Sequence, residues 1–172
     1  MKKEKIVNYF AGSNTPKGFY SFYKYLPFNS KNIYIIKGGP GTGKSTFMKN
    51  IGSKAIEEGY DIELHHCSSD NNSIDGIVIP DLSTAFLDGT APHTVDPIYP
   101  AVVEEIINFG QFWDKEILLK SKKEIIKLTD QCSSYFKQAY QILNKNQKKF
   151  ELQKNFYKES FDINKFIDNI DN

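Results

Sequence analysis

Arginine is missing: all 22 basic residues of this 172-residue chain are lysine. The planar guanidinium fork is the usual clamp for phosphate charge. Phosphate chemistry here must therefore rely on ammonium groups, backbone amides or an arginine brought from outside. Cysteine is scarce as well. Cys67 and Cys132 stand far apart with no C-x-x-C pairing, which fits a reducing compartment better than a disulfide framework. No apolar run approaches the roughly 18 residues of a membrane span, and MKKEKIVNYFAGS lacks the apolar stretch of a secretion signal. The chain reads as cytoplasmic and soluble, with no membrane partner. Excess charge is lacking too: 22 basic against 21 acidic residues leave +1, so global charge points to no nucleic-acid partner.

Glycine is plentiful in one place. Asn32 to Lys37, NIYIIK, has the β-branched and aromatic content of a buried strand. GGPGTGKS follows at once, from Gly38 to Ser45, with Thr46 behind it and a helix pattern from Lys44 to about Glu58 that Gly59 ends. This is G-x-x-x-x-G-K-[ST] between a strand and a helix, the context a phosphate-binding loop requires. Backbone N–H groups must converge on phosphate oxygens, and the close approach and unusual φ values suit glycine. Gly38, Gly39, Pro40, Gly41, Thr42, Gly43, Lys44, Ser45 and Thr46 are thus the expected nucleotide cradle. The helix N-terminus adds its dipole, Lys44 reaches the β and γ phosphates, and the Ser45 hydroxyl holds magnesium. Position 39 carries no signature lysine of the deviant dimeric loops, and Lys37 comes two residues too early. N-K-x-D is absent, since Asn144-Lys145 and Asn164-Lys165 continue without the aspartate; ATP is therefore expected over GTP.

Magnesium needs a further carboxylate at the end of a neighbouring apolar strand. AFLD supplies Asp88, with Asp75 before GIVIP as its competitor and a turn-forming role as the alternative for Asp88-Gly89. Many ATPases place a water-orienting glutamate after this aspartate; Gly89 stands there, and no general base is assigned. DIELHHC reads as a second strand with Ile62, Leu64 and His66 on its buried face. Adjacent strand residues point to opposite faces, so His65, His66 and Cys67 do not form a zinc site. Ser68, Ser69 and Asp70, at the strand end, are candidate sensors of the γ phosphate or a second substrate. His93 in DGTAPH is a candidate phosphate ligand or a loop-packing residue.

Thr15-Pro16 reads as a helix start, with a short aromatic helix from Pro16 to Tyr25. Its rings pack on the sheet, or one of them stacks on a base. GIVIP and LSTAFLD give two more short strands, three to four in all, for an α/β fold of the P-loop NTPase kind with a parallel sheet. From Pro100 the pattern turns helical without further strands. Phe136, Leu143, Phe150 and Tyr157 recur every seven residues, which predicts a long helix or helical hairpin. The chain divides accordingly into a core, 1–100, and a helical extension, 101–172. Between Lys115 and Lys158 eleven lysines face four acids, giving either a solvated face or a dock for nucleic acid or an acidic protein. Cys132 reads as a core residue.

NTPKGFYSFY, GGPGTGKSTFMK, HHCSSDNNSIDGIVIP and LDGTAPHTVDPIYPAVVEEIINFGQFWD together resemble a family of bacterial P-loop ATPases with two P-loop halves. The chain matches the first half, over about residues 8 to 130. The resemblance implies ATP binding and places Asp70, Asp88 and His93 in motifs typical of the family. With so few expected strands, it also implies that a second half or a second copy of the chain supplies missing strands and an arginine. The functional expectation is a magnesium-dependent ATPase. The alternatives are a small-molecule or nucleotide kinase, which would yield phosphorylated product, and a nucleotide-gated binding module, whose partner binding would respond to ATP without turnover.

Without an arginine to neutralise the transferring phosphoryl group, intrinsic turnover is expected to be slow. Steady-state phosphate release by the isolated chain should give a kcat below about 1 s⁻¹; a faster rate would contradict this.

Overall fold

The computed structural model describes residues 4–25, 29–92 and 94–170. It is a mixed α/β protein with a mostly parallel six-stranded sheet and a long C-terminal helix. The chain divides into two compact units, one of residues 1–14 with 19–126 and one of 15–18 with 127–172.

The first unit is built on strands β1 (Ile6–Phe10), β4 (Asn32–Lys37), β5 (Ile62–His66), β6 (Ile74–Ile79), β7 (Thr84–Asp88) and β8 (Glu104–Asn108), in the order β1-β5-β6-β7-β4-β8. Strand β4 lies parallel to β7 on one side and to β8 on the other, and β1 is parallel to β5. Strand β6 alone runs antiparallel to its neighbours, because only the short turn Pro80–Leu82 separates it from β7, and a connection of that length permits only a hairpin. The sheet is therefore mixed rather than wholly parallel, and it holds six strands rather than three or four. The case for strands donated from outside loses its premise.

Helix α1 (Lys44–Glu57) packs mainly on β6. Met48 and Ala55 meet Ile36, Ile62, Ile74, Ile77 and Ile79 in the main core. Gly52 allows this approach: a Cβ there would sit 2.8 Å from Ile77 Cδ1. Gly59, at φ +85°, ends the helix as its sequence position suggested.

The opposite sheet face carries one cross-strand row, Tyr9, His65, Gly76, Leu87, Ile35 and Ile106. His65 is fully buried there, so this face of β5 is not the shallower one that alternation suggested. Gly76 leaves room for it, since a Cβ would lie 3.1 Å from both His65 Nδ1 and Leu87 Cδ2.

The segment expected as a helix from Pro16 to Tyr25 is instead a ribbon of β2 (Gly12–Thr15) and β3 (Gly18–Ser21), with a short 3-10 turn at Tyr23–Tyr25. The Thr15 hydroxyl accepts from Lys17 N at 3.1 Å and donates to Gly18 O at 2.7 Å, and Gly18 takes φ +103°. The same chemistry that caps a helix here closes a turn. Tyr23 is buried with Ala11 and Leu87, while Tyr20, Phe22 and Tyr25 are exposed.

Beyond Pro100 the chain first adds β8, where the sequence pattern indicated only helix. The first of its two glutamates, Glu104, is buried and accepts from Tyr99 N at 2.8 Å, which satisfies the carboxylate that makes EEIIN read as polar. Helix α2 (Lys115–Lys120) begins at Asp114, whose carboxylate caps the amides of Glu116 and Ile117. The second unit contains most of α3 (Lys122–Ser160), and α4 (Ile163–Ile170) follows it. No residue of α3 is buried, so Cys132 is exposed rather than part of a core. No described helix is long and apolar enough to cross a membrane.

Candidate functional site

The glycine-rich segment forms the connection from β4 to α1, at the edge of the sheet where β4, β7 and β8 all end. Carboxyl edges of this kind are where open α/β sheets bind ligands. Gly41 and Gly43 take φ +78° and +83°, values costly for any residue with a Cβ. Gly43 is the N-cap of α1, and no side chain caps that helix. The unpaired amides of a first helical turn and their dipole therefore face the loop with no side-chain acceptor in place.

Register supplies the carboxylate. Ile36 pairs with Asp88 across β4 and β7, and Phe86, two residues before Asp88, lies against Phe47 of α1. Alternation puts Asp88 on the helix side as well. Asp88 Oδ2 lies 3.5 Å from Lys44 Nζ, with the two side chains 17% and 11% exposed. The Lys44 ammonium also donates to Gly38 O at 2.6 Å and Gly39 O at 3.1 Å. Thr42 Oγ1 donates to Gly39 O. Thr90, unnoticed in the sequence, binds both sides: its amide donates to Asp88 Oδ1 and its hydroxyl to Gly38 O, each at 2.8 Å.

Lys37 holds the following loop, donating to Gly89 O at 3.0 Å and Val95 O at 2.6 Å and pairing with Asp96 at 2.9 Å. Gly89 has a steric reason to be glycine, because a Cβ would lie 2.4 Å from Ile35 Cγ2. No glutamate fits after Asp88 unless buried Ile35 moves.

Ser45 Oγ accepts from Ile74 N at 3.0 Å, and Lys49 Nζ donates to Asn72 O. The first turns of α1 thereby tether the loop between β5 and β6. Asp75, the second residue of β6, is buried at this edge. The register with β5 passes from His65–Gly76 to His66–Ile74 and skips Asp75, a bulge that re-aims a strand end. Asp75 and Asp88 both lie near enough for their charges to act on the Tyr23 phenol. Asp70 is not drawn in: it is exposed, and its carboxylate accepts from Asn72 N within its own loop. Asn14 Nδ2 reaches Ser68 O at 3.2 Å and Ser69 Oγ at 3.4 Å. His93 lies outside the described residues.

Near Asp75 sits a buried polar group, His65. Neither His65 ring nitrogen has a hydrogen-bond partner among the described residues, and the ring stands edge-on to Tyr9 and Tyr23 at 5.9 and 6.5 Å. Burial pushes the His65 pKa down to about 4, with Asp75 pulling it up and His66 further down. Burial, then Asp75 and Asp88, push the Tyr23 phenol well above its usual range. Burial likewise raises the Cys67 thiol, and Asp75 adds to the rise. His66, on the other face, lies 2.7 Å from Asn8 Oδ1, so the histidine pair diverges as expected.

No site motif in the sequence marks Trp113. Its indole lies against the glycine-rich loop, where a Cβ on Gly39 would be 2.7 Å from Cη2. A hollow of about 90 Å³ lined by Asn32, Ala101, Val102 and Glu105 lies near the other end of β4 and is too small for a nucleotide.

No group of three or more His, Cys, Asp or Glu side chains forms a metal cage among the described residues. Magnesium does not need one, because it takes one or two carboxylates or hydroxyls with phosphates and waters. Ser45 and Asp88 are side chains of the kind that meets that demand. The loop amides and Lys44 fit a polyphosphate. No protein-family model, curated protein or solved structure matches the chain.

Two outcomes follow. His65 binds its proton less readily folded than unfolded, so stability is full above pH 6.5, falls as pH drops toward 4, and falls no further below it. The expected loss is about 3 kcal/mol, and denaturant melts of His65→Leu should lack this part of the pH dependence; an unchanged slope would contradict it. Gly89→Ala should cost about 1–3 kcal/mol by overpacking against Ile35, read by the same melts, and neutrality would refute the steric account.

Proposed function

We propose that the protein binds magnesium-ATP in the loop from Gly38 to Thr46 and hydrolyses it slowly. The observation that carries this reading is the Lys44 ammonium held 3.5 Å from Asp88 at the mouth of a glycine-rich loop, over a helix start that no side chain caps. Lys44 would exchange the carbonyls of Gly38 and Gly39 for β- and γ-phosphate oxygens, stronger acceptors for a cation. Amides of the loop and first helical turn would hold the remaining phosphate charge. Ser45 and Asp88 would hold the metal, with Asp75 as the competing candidate for the carboxylate role. Magnesium held there would help to neutralise the phosphate charge.

Gly89 leaves no room for a water-orienting glutamate, and no arginine exists in the chain. Both favour slow turnover, or turnover completed by a partner or second copy that contributes arginine. Kinship with bacterial ATPases carrying two such halves belongs to the same proposal. The two gaps also favour a second reading, a nucleotide-gated binding module whose partner affinity changes with ATP bound and without phosphate release.

Calorimetric titration of magnesium-ATP tests the reading. Lys44→Ala should bind at least about tenfold more weakly while melting as a folded protein, since a charge-assisted hydrogen bond contributes about 1.5–3 kcal/mol. Equal affinity in the variant, or no heat from the wild type, would overturn it.

A further inference from the structure

The geometry points to Trp113 as the stacking platform for the base of a bound purine nucleotide, an inference that rests on the nucleotide reading of the glycine-rich loop. The sheet order is β7-β4-β8 around that loop, so its two flanks differ in chemistry. On the β7 flank stand the groups that handle phosphate and metal charge, Asp88 and Thr90. On the β8 flank the chain passes through Phe109–Phe112 to Trp113. A nucleotide whose terminal phosphate rests at Lys44 and Asp88 extends away from them across β4. The distance from β7 to β8 is two strand spacings, roughly 10 Å, comparable to the length of a triphosphate with its ribose.

Division of labour among the aromatic rings supports the assignment. Phe109 anchors the segment, its ring 5.3 Å from Phe47 of α1 and packed against the main core. Asn108 Oδ1 accepts from Gly110 N at 2.9 Å and fixes the turn. Trp113 is not needed to fill that core. It remains 43% exposed while its benzo edge touches the loop backbone at Gly39. A large aromatic side chain left partly exposed beside a glycine-rich loop suits a flat, partly apolar ligand, and a bicyclic purine matches the indole better than a pyrimidine does. The rings near residues 19–25 are poorer candidates: Tyr23 is buried beside His65, and Tyr20 and Phe22 pack on each other at 4.9 Å.

The test titrates the full chain, in wild-type, Trp113→Leu and Trp113→Phe forms, with the magnesium complexes of ATP, UTP and inorganic tripolyphosphate. Thermal melts establish that each form is folded. Trp113→Leu should weaken ATP roughly ten- to a hundredfold, leave tripolyphosphate within about twofold, and reduce the preference for ATP over UTP. Trp113→Phe should restore most of the loss. Trp113 is the only tryptophan, so wild-type fluorescence should change with ATP and not with tripolyphosphate. If Trp113→Leu changes neither ligand, or weakens both equally, stacking is refuted while the loop reading stands. Wild-type protein that binds neither ligand refutes both.

Discussion

Parallel pairing of β7 with β4 is the constraint on which the site depends. It sets Asp88 beside Ile36, one step before the chain leaves the sheet for the glycine-rich loop, and so brings a carboxylate to the lysine that opens α1. Shifting the register by one residue would turn Asp88 to the other sheet face. The cores on both faces oppose that slip: Phe86 is held by Tyr34 and Phe47 on the helix side, and Leu87 by Ala11 and Tyr23 on the other. Packing of apolar side chains thus fixes the position of a charge.

The hairpin of β6 and β7 adds a second carboxylate at the same edge. Asp75 stands where the β5–β6 register skips a residue, and its charge acts on Tyr23, His65 and Cys67 together. A neutral imidazole buried with no hydrogen-bond partner among the described residues costs stability. Its place near Asp75, with Tyr23 and Cys67 feeling the same charge, makes this edge the electrostatically tuned part of the fold. The opposite flank, beyond β8, is aromatic and open. The asymmetry orders the site from charge to apolar surface across a single loop.

Where periodicity and turn chemistry agreed, the sequence was readable. NIYIIK, the glycine-rich turn, the helix to Gly59 and the two short strands around Pro80 appear in the structure, and Lys44 and Asp88 do meet. What was hidden had a physical cause each time. IVNYF in β1 is apolar at all but one position and follows lysines, so it shows no alternation. Thr15-Pro16 carries the hydroxyl and proline of a helix start, and only the Thr15 bonds to Lys17 and Gly18 reveal a turn. EEIIN looks solvated until the Tyr99 amide satisfies Glu104. Trp113 gave no motif, because its meaning lies in a contact with Gly39 that only the β4–β8 pairing creates. The proposed hydrolysis is the least legible part: it would depend on a base and a counter-cation that neither the residue after Asp88 nor any arginine supplies.

The most direct measurement is a crystal structure with magnesium and a non-hydrolysable ATP analogue. The account predicts phosphate oxygens within hydrogen-bonding distance of the amides between Gly41 and Ser45, Lys44 turned from Gly38 and Gly39 onto the phosphates, and the metal between Ser45 and Asp88 or Asp75. Nucleotide bound elsewhere, or Lys44 still on its carbonyls beside a bound triphosphate, would contradict it.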